Sequence, residues 1–156
     1  MTIRSAFRAE FEEITNVWED SVRATHEFLS EDDLRELRPR IQNEWLPAVT
    51  VVVFTSNDGE ILGFMGISGE KLEMLFISPA ARGKGIGRTL LNHAISQMSV
   101  RLVDVNEQND RAVGFYQHVG FEVFGRSPLD GQGKPYPLLH MKLASSDNSI
   151  QPRPAT

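Results

Sequence analysis

The residues between positions 82 and 88 carry the strongest chemical signal in this sequence. They read RGKGIGR and stand between an apolar run, residues 71–77, and a segment whose apolar residues recur at helical spacing. Glycines in such a loop let successive backbone N–H groups converge on one anion, and the positive end of the following helix adds to the attraction. The pattern favours a phosphate ligand, although a glycine-rich turn with basic side chains on its surface would have the same composition. The candidate anion-binding residues are Arg82, Gly83, Lys84, Gly85, Ile86, Gly87 and Arg88.

Two common phosphate-binding motifs do not match this loop. Lys84 is followed by Gly85 rather than by Ser or Thr, and the first glycine of a Walker loop is missing, which disfavours nucleotide hydrolysis. The GxGxG spacing follows a strand that we assign to an antiparallel meander, so it also differs from a dinucleotide fingerprint. A nucleotide-binding module is therefore disfavoured.

The elements upstream of the loop are predicted from hydrophobic periodicity. Residues 2–7 favour a short strand and residues 9–25 an amphipathic helix. Ser30 is a suitable N-cap for a second helix, which Pro39 is expected to kink or divide. Two helices are thus expected before the sheet resumes.

Three strands are predicted immediately before the loop. Residues 50–55 and 61–67 flank the turn signal Asn-Asp-Gly and form a hairpin. Residues 71–77 form a third strand, and side chains alternate between the faces of a strand. One face is expected to carry Glu73, Leu75 and Ile77, and the other Leu72, Met74 and Phe76.

Downstream of the loop, helices alternate with strands. We expect two crossover helices, each placing parallel strands next to each other, so the fold is an α/β arrangement around a mixed sheet. The tail lacks apolar periodicity and is expected to be disordered. The predicted elements are helices at 86–98 and 109–119 and strands at 101–105, 121–126 and 138–143.

Composition limits the function classes. The chain has 156 residues, 40% of them hydrophobic, which suffices for one compact fold, and it has no cysteine for disulfides or thiolate metal sites. Its 16 basic and 21 acidic residues give a formal charge of -5, the wrong sign for a protein that neutralises nucleic-acid phosphates. Residues 1–20 lack a long apolar run, so we expect neither a signal peptide nor a membrane span, and a cytoplasmic protein.

Two motifs together resemble a known family. Arg82, Gly85 and Gly87 fit the pattern Gln/Arg-x-x-Gly-x-Gly/Ala, and VNEQNDRAVGFYQHVGF, residues 105–121, fits Asn-x-x-Ala-x-x-Phe-Tyr-x-x-x-Gly-Phe. In this order and separation they resemble the GNAT superfamily of acyl-CoA-dependent N-acyltransferases, in its small bacterial single-domain form. The resemblance spans roughly residues 2–143.

The resemblance implies a GNAT-like α/β (α+β) fold. Such a fold has a mixed, mostly antiparallel sheet of about seven strands with about four helices, and its central strands splay around coenzyme A. It further implies one N-acetyltransferase domain at residues 1–143, followed by the disordered tail 144–156.

The resemblance also assigns the cofactor-binding residues. The N–H groups from Arg82 to Gly87 would hold the pyrophosphate of acetyl-CoA, the co-substrate, and no metal is expected. The pantetheine arm would lie between the strands ending at Ile77 and Val105, pairing with backbone near Leu75 like a short added strand. Asn109 would contact pantetheine or cap the helix that begins there, and these roles can coexist. Phe76 and Phe115 complete the expected cofactor-binding set.

Two residues are candidates for the chemistry of acyl transfer. The resemblance points the Tyr116 hydroxyl at the CoA sulfur as general acid, whereas the alternative is a core tyrosine with a satisfied hydroxyl. Glu73 could deprotonate the acceptor ammonium through water, and its alternative role is that of a cross-strand partner for a cation. Family members vary in their base, so Glu73, His26 and water all remain open.

The expected function is transfer of an acetyl group from acetyl-CoA to a primary amine, directly within a ternary complex. A non-catalytic acyl-CoA sensor on the same scaffold is the alternative. The acceptor, a small molecule or a protein amine, is not identified by the sequence, and a homodimer stays open. The candidate acceptor-binding residues are His26, Phe28 and Tyr136. Two further aromatic residues, Trp18 and Trp45, could line an acceptor pocket or belong to the core. No function is assigned to His93, His118 and His140.

Overall fold

The computed structural model describes residues 1–25, 30–131 and 133–144. Within it the chain divides into two compact units, Met1–Val100 and Arg101–Thr156, called the first and second unit below. The tail that the sequence predicts to be disordered lies outside the described residues, apart from Ala144.

The first unit is built on an antiparallel meander of four strands. These are β1 (Thr2–Ser5), β2 (Thr50–Thr55), β3 (Ile61–Ser68) and β4 (Lys71–Ile77). Each pairs antiparallel with the next. Gly59 and Gly69 in the two tight turns have φ values of +86° and +60°, which glycine adopts without the clash that a Cβ would cause. The predicted hairpin and third strand are therefore confirmed.

Helical segments connect β1 to β2. They are a 3-10 turn at Arg8–Glu10, α1 (Phe11–Thr25), α2 (Glu31–Arg40), a π-helical turn at Ile41–Trp45 and the short α3 (Leu46–Ala48). Ser30 caps α2 as predicted, because its side chain accepts a hydrogen bond from the Asp33 N–H at 3.0 Å. Pro39 lies inside α2, and the helix changes to π geometry two residues later. Since proline removes one helical hydrogen bond, the chain accommodates that loss by a change of helix type.

The core of the first unit forms where α1 packs against the sheet. Ile14 and Trp18 of α1 are 0% and 4% exposed and share a buried cluster with Leu46 and Phe64. Trp45 packs against the same cluster. Trp18 is therefore a core residue, and Trp45 is a partly buried residue at the edge of the core, which is the usual place for aromatic side chains at helical spacing.

The described residues of the second unit contain three strands and one helix. They are β5 (Leu102–Asn106), α5 (Asp110–Val119), β6 (Phe121–Ser127) and β7 (Leu138–Leu143). Gly120 ends α5 as predicted, with a φ of +123°, and its N–H bonds back to the carbonyls of Gln117 and Tyr116. α5 packs on β5 and β6.

The expectation that each crossover helix joins neighbouring parallel strands is wrong for α5. β7 lies between β5 and β6 and pairs antiparallel with both. β5 and β6 therefore run parallel but are not neighbours. β7 fills the gap, so its backbone hydrogen-bonds on both sides.

The predicted fold class is confirmed. The described residues contain seven strands, mostly antiparallel, together with four helices of ten residues or more. None of the helices in the described part of the chain is long and apolar enough to cross a membrane.

Candidate active site

The glycine loop of the first unit leads directly into α4 (Ile86–Met98). Gly83 and Gly85 have φ values of +78° and +76°, and Gly85 is the N-cap of the helix. A side chain in this left-handed region costs roughly 1–2 kcal/mol, so the turn favours glycine at both positions. A Cβ at either glycine would meet no atom within 4 Å, so the surface over the loop has room for a ligand.

The first turn of α4 presents backbone donors without acceptors inside the helix. Thr89 N–H makes the first intrahelical bond, to the carbonyl of Gly85 at 3.0 Å. The N–H groups of Ile86, Gly87 and Arg88 therefore have no intrahelical partner, and they stand at the positive end of the helix dipole. Lys84 and Arg88 are exposed beside them. This arrangement can bind an anion such as a pyrophosphate.

Arg82 differs from its neighbours, because two of its N–H donors have protein acceptors. Its backbone N–H bonds to the Pro79 carbonyl at 3.3 Å, and its guanidinium donates to the Ser21 carbonyl of α1 at 3.3 Å. The side chain thus ties the loop to α1 within the first unit.

β4 carries Glu73 at an irregularity of the strand. Gly66 pairs with Met74 and Ile67 with Leu72, so Glu73 is the extra residue of a β-bulge. Its side chain is exposed, and no cation pairs with it among the described residues. Bulges redirect side chains and are frequent beside active sites. The alternative role as a cross-strand partner for a cation therefore has no support in the described part of the chain.

The end of β4 approaches β3 closely. Leu75, Phe76 and Ile77 are partly buried. Opposite Ile77 lies Gly63, where a Cβ would come within 2.8 Å of Ile77 Cδ1 and 3.2 Å of the Phe76 carbonyl oxygen. A side chain at this position would therefore require the Ile77 side chain and the β4 backbone to shift.

Tyr116 lies on α5 in the second unit with its ring enclosed. The residue is 7% exposed, and its ring meets Phe115 and Phe121 edge-on at centroid distances of 5.1 and 5.8 Å. Its hydroxyl makes no hydrogen bond to any residue that the structure describes. Burial raises the pKa of the Tyr116 hydroxyl well above its usual value near 10, because the phenolate would lose its hydration. The hydroxyl is therefore neutral and has a proton to donate.

Asn109 begins the same helix. Its side-chain oxygen accepts a hydrogen bond from the Ala112 N–H at 3.1 Å, so its capping role is confirmed. Tyr136 is half-buried in the loop before β7, and its N–H bonds to the Lys134 carbonyl at 2.8 Å. The other acceptor candidates, His26 and Phe28, lie outside the described residues.

Three polar residues of the second unit, which no motif in the sequence links, lie together. Asp104 of β5, His140 of β7 and Ser127 of β6 form a continuous hydrogen-bonded row. The sequence gives only a weak indication of this row: Asp104 in LVDVN and His140 in LLHMK are each a polar residue between apolar neighbours of a strand.

Comparison with known proteins agrees with the resemblance in the sequence. Residues 14–144 match the model of the acetyltransferase (GNAT) domain family. The chain belongs to the GNAT acetyltransferase family. The peptidyl-lysine N-acetyltransferase YjaB of Escherichia coli (strain K12) is 44% identical over 141 residues, covering 90% of this chain and 95% of that protein.

Solved structures agree with this assignment. The solution structure of apo-form YjaB from Escherichia coli superposes with a TM-score of 0.83 at 44% identity, covering 90% of this chain and 95% of that one. The PaiA N-acetyltransferase from Thermoplasma acidophilum in complex with coenzyme A has the same fold, with a TM-score of 0.73 at 21% identity, covering 92% and 98% of the two chains.

The expected family and reaction class are therefore confirmed. This GNAT acetyltransferase is an enzyme, and GNAT acetyltransferases take the acetyl group from acetyl-CoA. Because the chain belongs to this family and its relatives are named N-acetyltransferases, a catalytic function is favoured over a non-catalytic acyl-CoA sensor.

Proposed function

We propose that this enzyme acetylates the side-chain amine of lysine residues in peptides or proteins. The observation that carries the proposal is the relative named peptidyl-lysine N-acetyltransferase, which is 44% identical over 95% of its own length. The chain acts in the cytoplasm as one catalytic domain, residues 1–143, and transfers the acetyl group directly within a ternary complex.

The donor is bound through backbone groups at the start of α4. The N–H groups of Ile86, Gly87 and Arg88, which have no acceptor within the helix, hold the pyrophosphate of acetyl-CoA. The exposed side chains of Lys84 and Arg88 add positive charge. Backbone at Leu75, Phe76 and Ile77 pairs with the pantetheine arm. The remaining cofactor contacts are Arg82, Gly83, Gly85, Asn109 and Phe115.

Tyr116 assists departure of the thiolate. The lysine nitrogen forms a bond to the acetyl carbon, and the bond between that carbon and the CoA sulfur breaks. The neutral Tyr116 hydroxyl, which has no protein acceptor in the described residues, donates a hydrogen bond to the leaving sulfur. Because burial raises its pKa further above that of a thiol, near 8.5, the hydroxyl stabilises the developing thiolate chiefly as a hydrogen-bond donor.

A base must remove a proton from the lysine ammonium before attack. Glu73 fills this role through water, because its carboxylate is exposed and has no cation partner among the described residues. Its position at the bulge of β4 turns it away from the regular alternation of the strand. The acceptor is held by His26, Phe28 and Tyr136.

The acceptor assignment is tested with matched substrates. A short peptide with a blocked N-terminus and one lysine is incubated with acetyl-CoA, and free thiol release is followed together with the mass of the peptide. The control peptide carries arginine in place of the lysine, and a polyamine and free amino acids are assayed in parallel. Acetylation of the lysine peptide alone is the expected result. Turnover with a free amine but not with the peptide would reject the lysine proposal, and CoA binding without turnover on any amine would support a sensor.

The donor assignment is tested with Gly87→Val. The branched side chain obstructs the approach of a phosphate to the first turn of α4, so CoA affinity should fall at least about tenfold, or about 1.4 kcal/mol. Gln97→Val is the matched control, because it places the same side chain at an exposed position of the same helix, far from its N-terminus. If the two variants have equal CoA affinity in a titration, the pyrophosphate does not bind at this loop.

A further inference from the structure

The second unit holds an acid, an imidazole and a hydroxyl in one row. Asp104 and His140 are directly paired residues of β5 and β7, and Oδ1 of the first lies 2.7 Å from Nδ1 of the second. On the other side of the imidazole, His140 Nε2 lies 2.7 Å from the Oγ of Ser127 on β6. Three strands thus supply one side chain each.

The chemistry of the partners fixes which atom donates in each bond. An ionised carboxylate can only accept, so Nδ1 of His140 must carry a proton and donate it to Asp104. In a neutral imidazole Nε2 is then the acceptor, and the Ser127 hydroxyl must donate to it. This is the order of roles in which an imidazole can withdraw the proton of a serine nucleophile.

The surroundings leave the row accessible. The side chains of His140 and Asp104 are 28% and 23% exposed, and Ser127 is also partly exposed. Gly125 pairs with His140, and a side chain at this position would contact the imidazole, since even a Cβ there would lie 3.4 Å from Cδ2. A small reagent can therefore reach the hydroxyl.

We propose that Ser127 is a nucleophilic serine, activated by His140 and positioned through Asp104, that accepts an acyl group from small activated esters. This activity is separate from acetyl transfer to amines and uses none of the residues assigned to that reaction.

The reaction balances with the groups present and an ester. The Ser127 Oγ forms a bond to the acyl carbon, the bond from that carbon to the alcohol oxygen of the ester breaks, and the hydroxyl proton passes to His140 Nε2. The imidazolium is stabilised by the Asp104 carboxylate and returns its proton to the leaving group. Water then attacks the acyl serine with His140 as base, which releases the carboxylic acid and restores Ser127.

The first test uses the unaltered protein. It is treated with p-nitrophenyl acetate and quenched, and the position of the acetyl group is mapped by mass spectrometry of peptides. We expect acetylation of Ser127 ahead of other hydroxyl groups, no signal there in Ser127→Ala, and a rate lowered at least about tenfold in His140→Gln. No acetyl group on Ser127, or no preference over Ser96, a helix serine bonded to a backbone carbonyl, would overturn the proposal.

The second test exploits the absence of cysteine from the chain. Ser127→Cys introduces a single thiol beside His140, and Ser96→Cys introduces one without a histidine partner as the matched control. We take the case in which the imidazole lowers the thiol pKa from 8.5 to about 7. At pH 7 the larger fraction of thiolate then outweighs its lower intrinsic nucleophilicity. Alkylation of Ser127→Cys by iodoacetamide should therefore be about threefold faster than that of Ser96→Cys. The advantage should disappear when Ser127→Cys is combined with His140→Gln.

The role of Asp104 is read from the same alkylation assay. In Asp104→Asn combined with Ser127→Cys, the new amide donates to the imidazole and favours the wrong tautomer. The threefold advantage in alkylation rate should therefore be lost. Asp104→Glu, which keeps the carboxylate, should restore part of it. A purely structural row would lower the thermal stability of these variants without changing thiol reactivity. Equal alkylation rates in all variants would therefore refute the activation of Ser127.

Amine acetylation by Ser127→Ala should equal that of the parent, so failure of this proposal and failure of the lysine proposal are distinguishable.

Discussion

The substitution Tyr116→Phe, which removes only the hydroxyl oxygen, tests whether Tyr116 has a catalytic role or a purely structural one. The residue is 7% exposed, and its hydroxyl has no hydrogen-bond partner among the described residues. A buried hydroxyl without a partner costs roughly 1–3 kcal/mol in protein mutational data. Tyr116→Phe keeps the edge-on packing with Phe115 and Phe121, so the free energy of unfolding should stay unchanged or increase by up to that amount.

The same substitution should have the opposite effect on the reaction. A positioned proton donor typically contributes about 100- to 10,000-fold to a rate, which corresponds to about 3–5 kcal/mol of activation free energy. We therefore expect kcat for Tyr116→Phe to fall by a factor in that range, with CoA affinity unchanged. The combination of equal or higher stability with a much lower kcat is the signature of a functional hydroxyl.

Two measurements check this signature. Urea unfolding gives the free energy of unfolding, and thiol release at saturating substrates gives kcat. Tyr136→Phe is the matched control, because it removes the hydroxyl of the other tyrosine, and it should raise the acceptor KM more than the acetyl-CoA KM. A loss of about 1 kcal/mol of stability in Tyr116→Phe, with kcat within about threefold of the parent where chemistry limits turnover, would refute the reasoning.

The raised pKa of Tyr116 adds a dependence of stability on pH. An unfolded tyrosine loses its proton near pH 10, whereas the folded one retains it because its pKa is raised by burial. The unfolded state then binds fewer protons, so stability falls as the pH rises above about 10, by up to about 1.4 kcal/mol for each pH unit. Tyr116→Phe should lack this component in urea unfolding measured between pH 9 and 11.

Three further predictions concern the stability of the fold. The pKa of Glu19 is lowered by its hydrogen bonds to Arg23 and Arg38, so Glu19→Gln should cost at most about 1 kcal/mol at pH 7, and the difference should fade as the pH falls below about 4.5. Urea unfolding at pH 7 and pH 3 measures this, and an equal loss at both values would contradict it. Gly114→Ala should raise the melting temperature and add about 0.5–1 kcal/mol in calorimetry, because a Cβ at this helix position meets nothing within 4 Å. Leu90→Ala should cost about 2–5 kcal/mol in urea unfolding, since the side chain is 0% exposed, and a smaller loss would mean that the core collapses around it.

Much of the fold was predictable from the sequence because its signals are local. The turn glycines, the Ser30 cap, the stop at Gly120 and the run of strands around the hairpin depend on residues only a few positions apart. The glycine loop belongs to the same class, since positive φ values and helix N–H groups without an intrahelical acceptor follow from the neighbouring sequence. These local signals, with the two family motifs, were sufficient for the family and its reaction.

The tertiary structure alone decided the surroundings of the reactive side chains. The acceptor of the Arg82 guanidinium lies 61 positions away at Ser21, and the partner of Asp104 lies 36 positions away at His140. The bulge at Glu73, the insertion of β7 between β5 and β6 and the burial of the Tyr116 ring likewise depend on how distant segments meet. Local periodicity specifies which face a residue occupies, whereas the identity of its neighbour on the next strand depends on register and strand order. For that reason the sequence named the candidates, and only the fold determined which of their polar atoms already have partners.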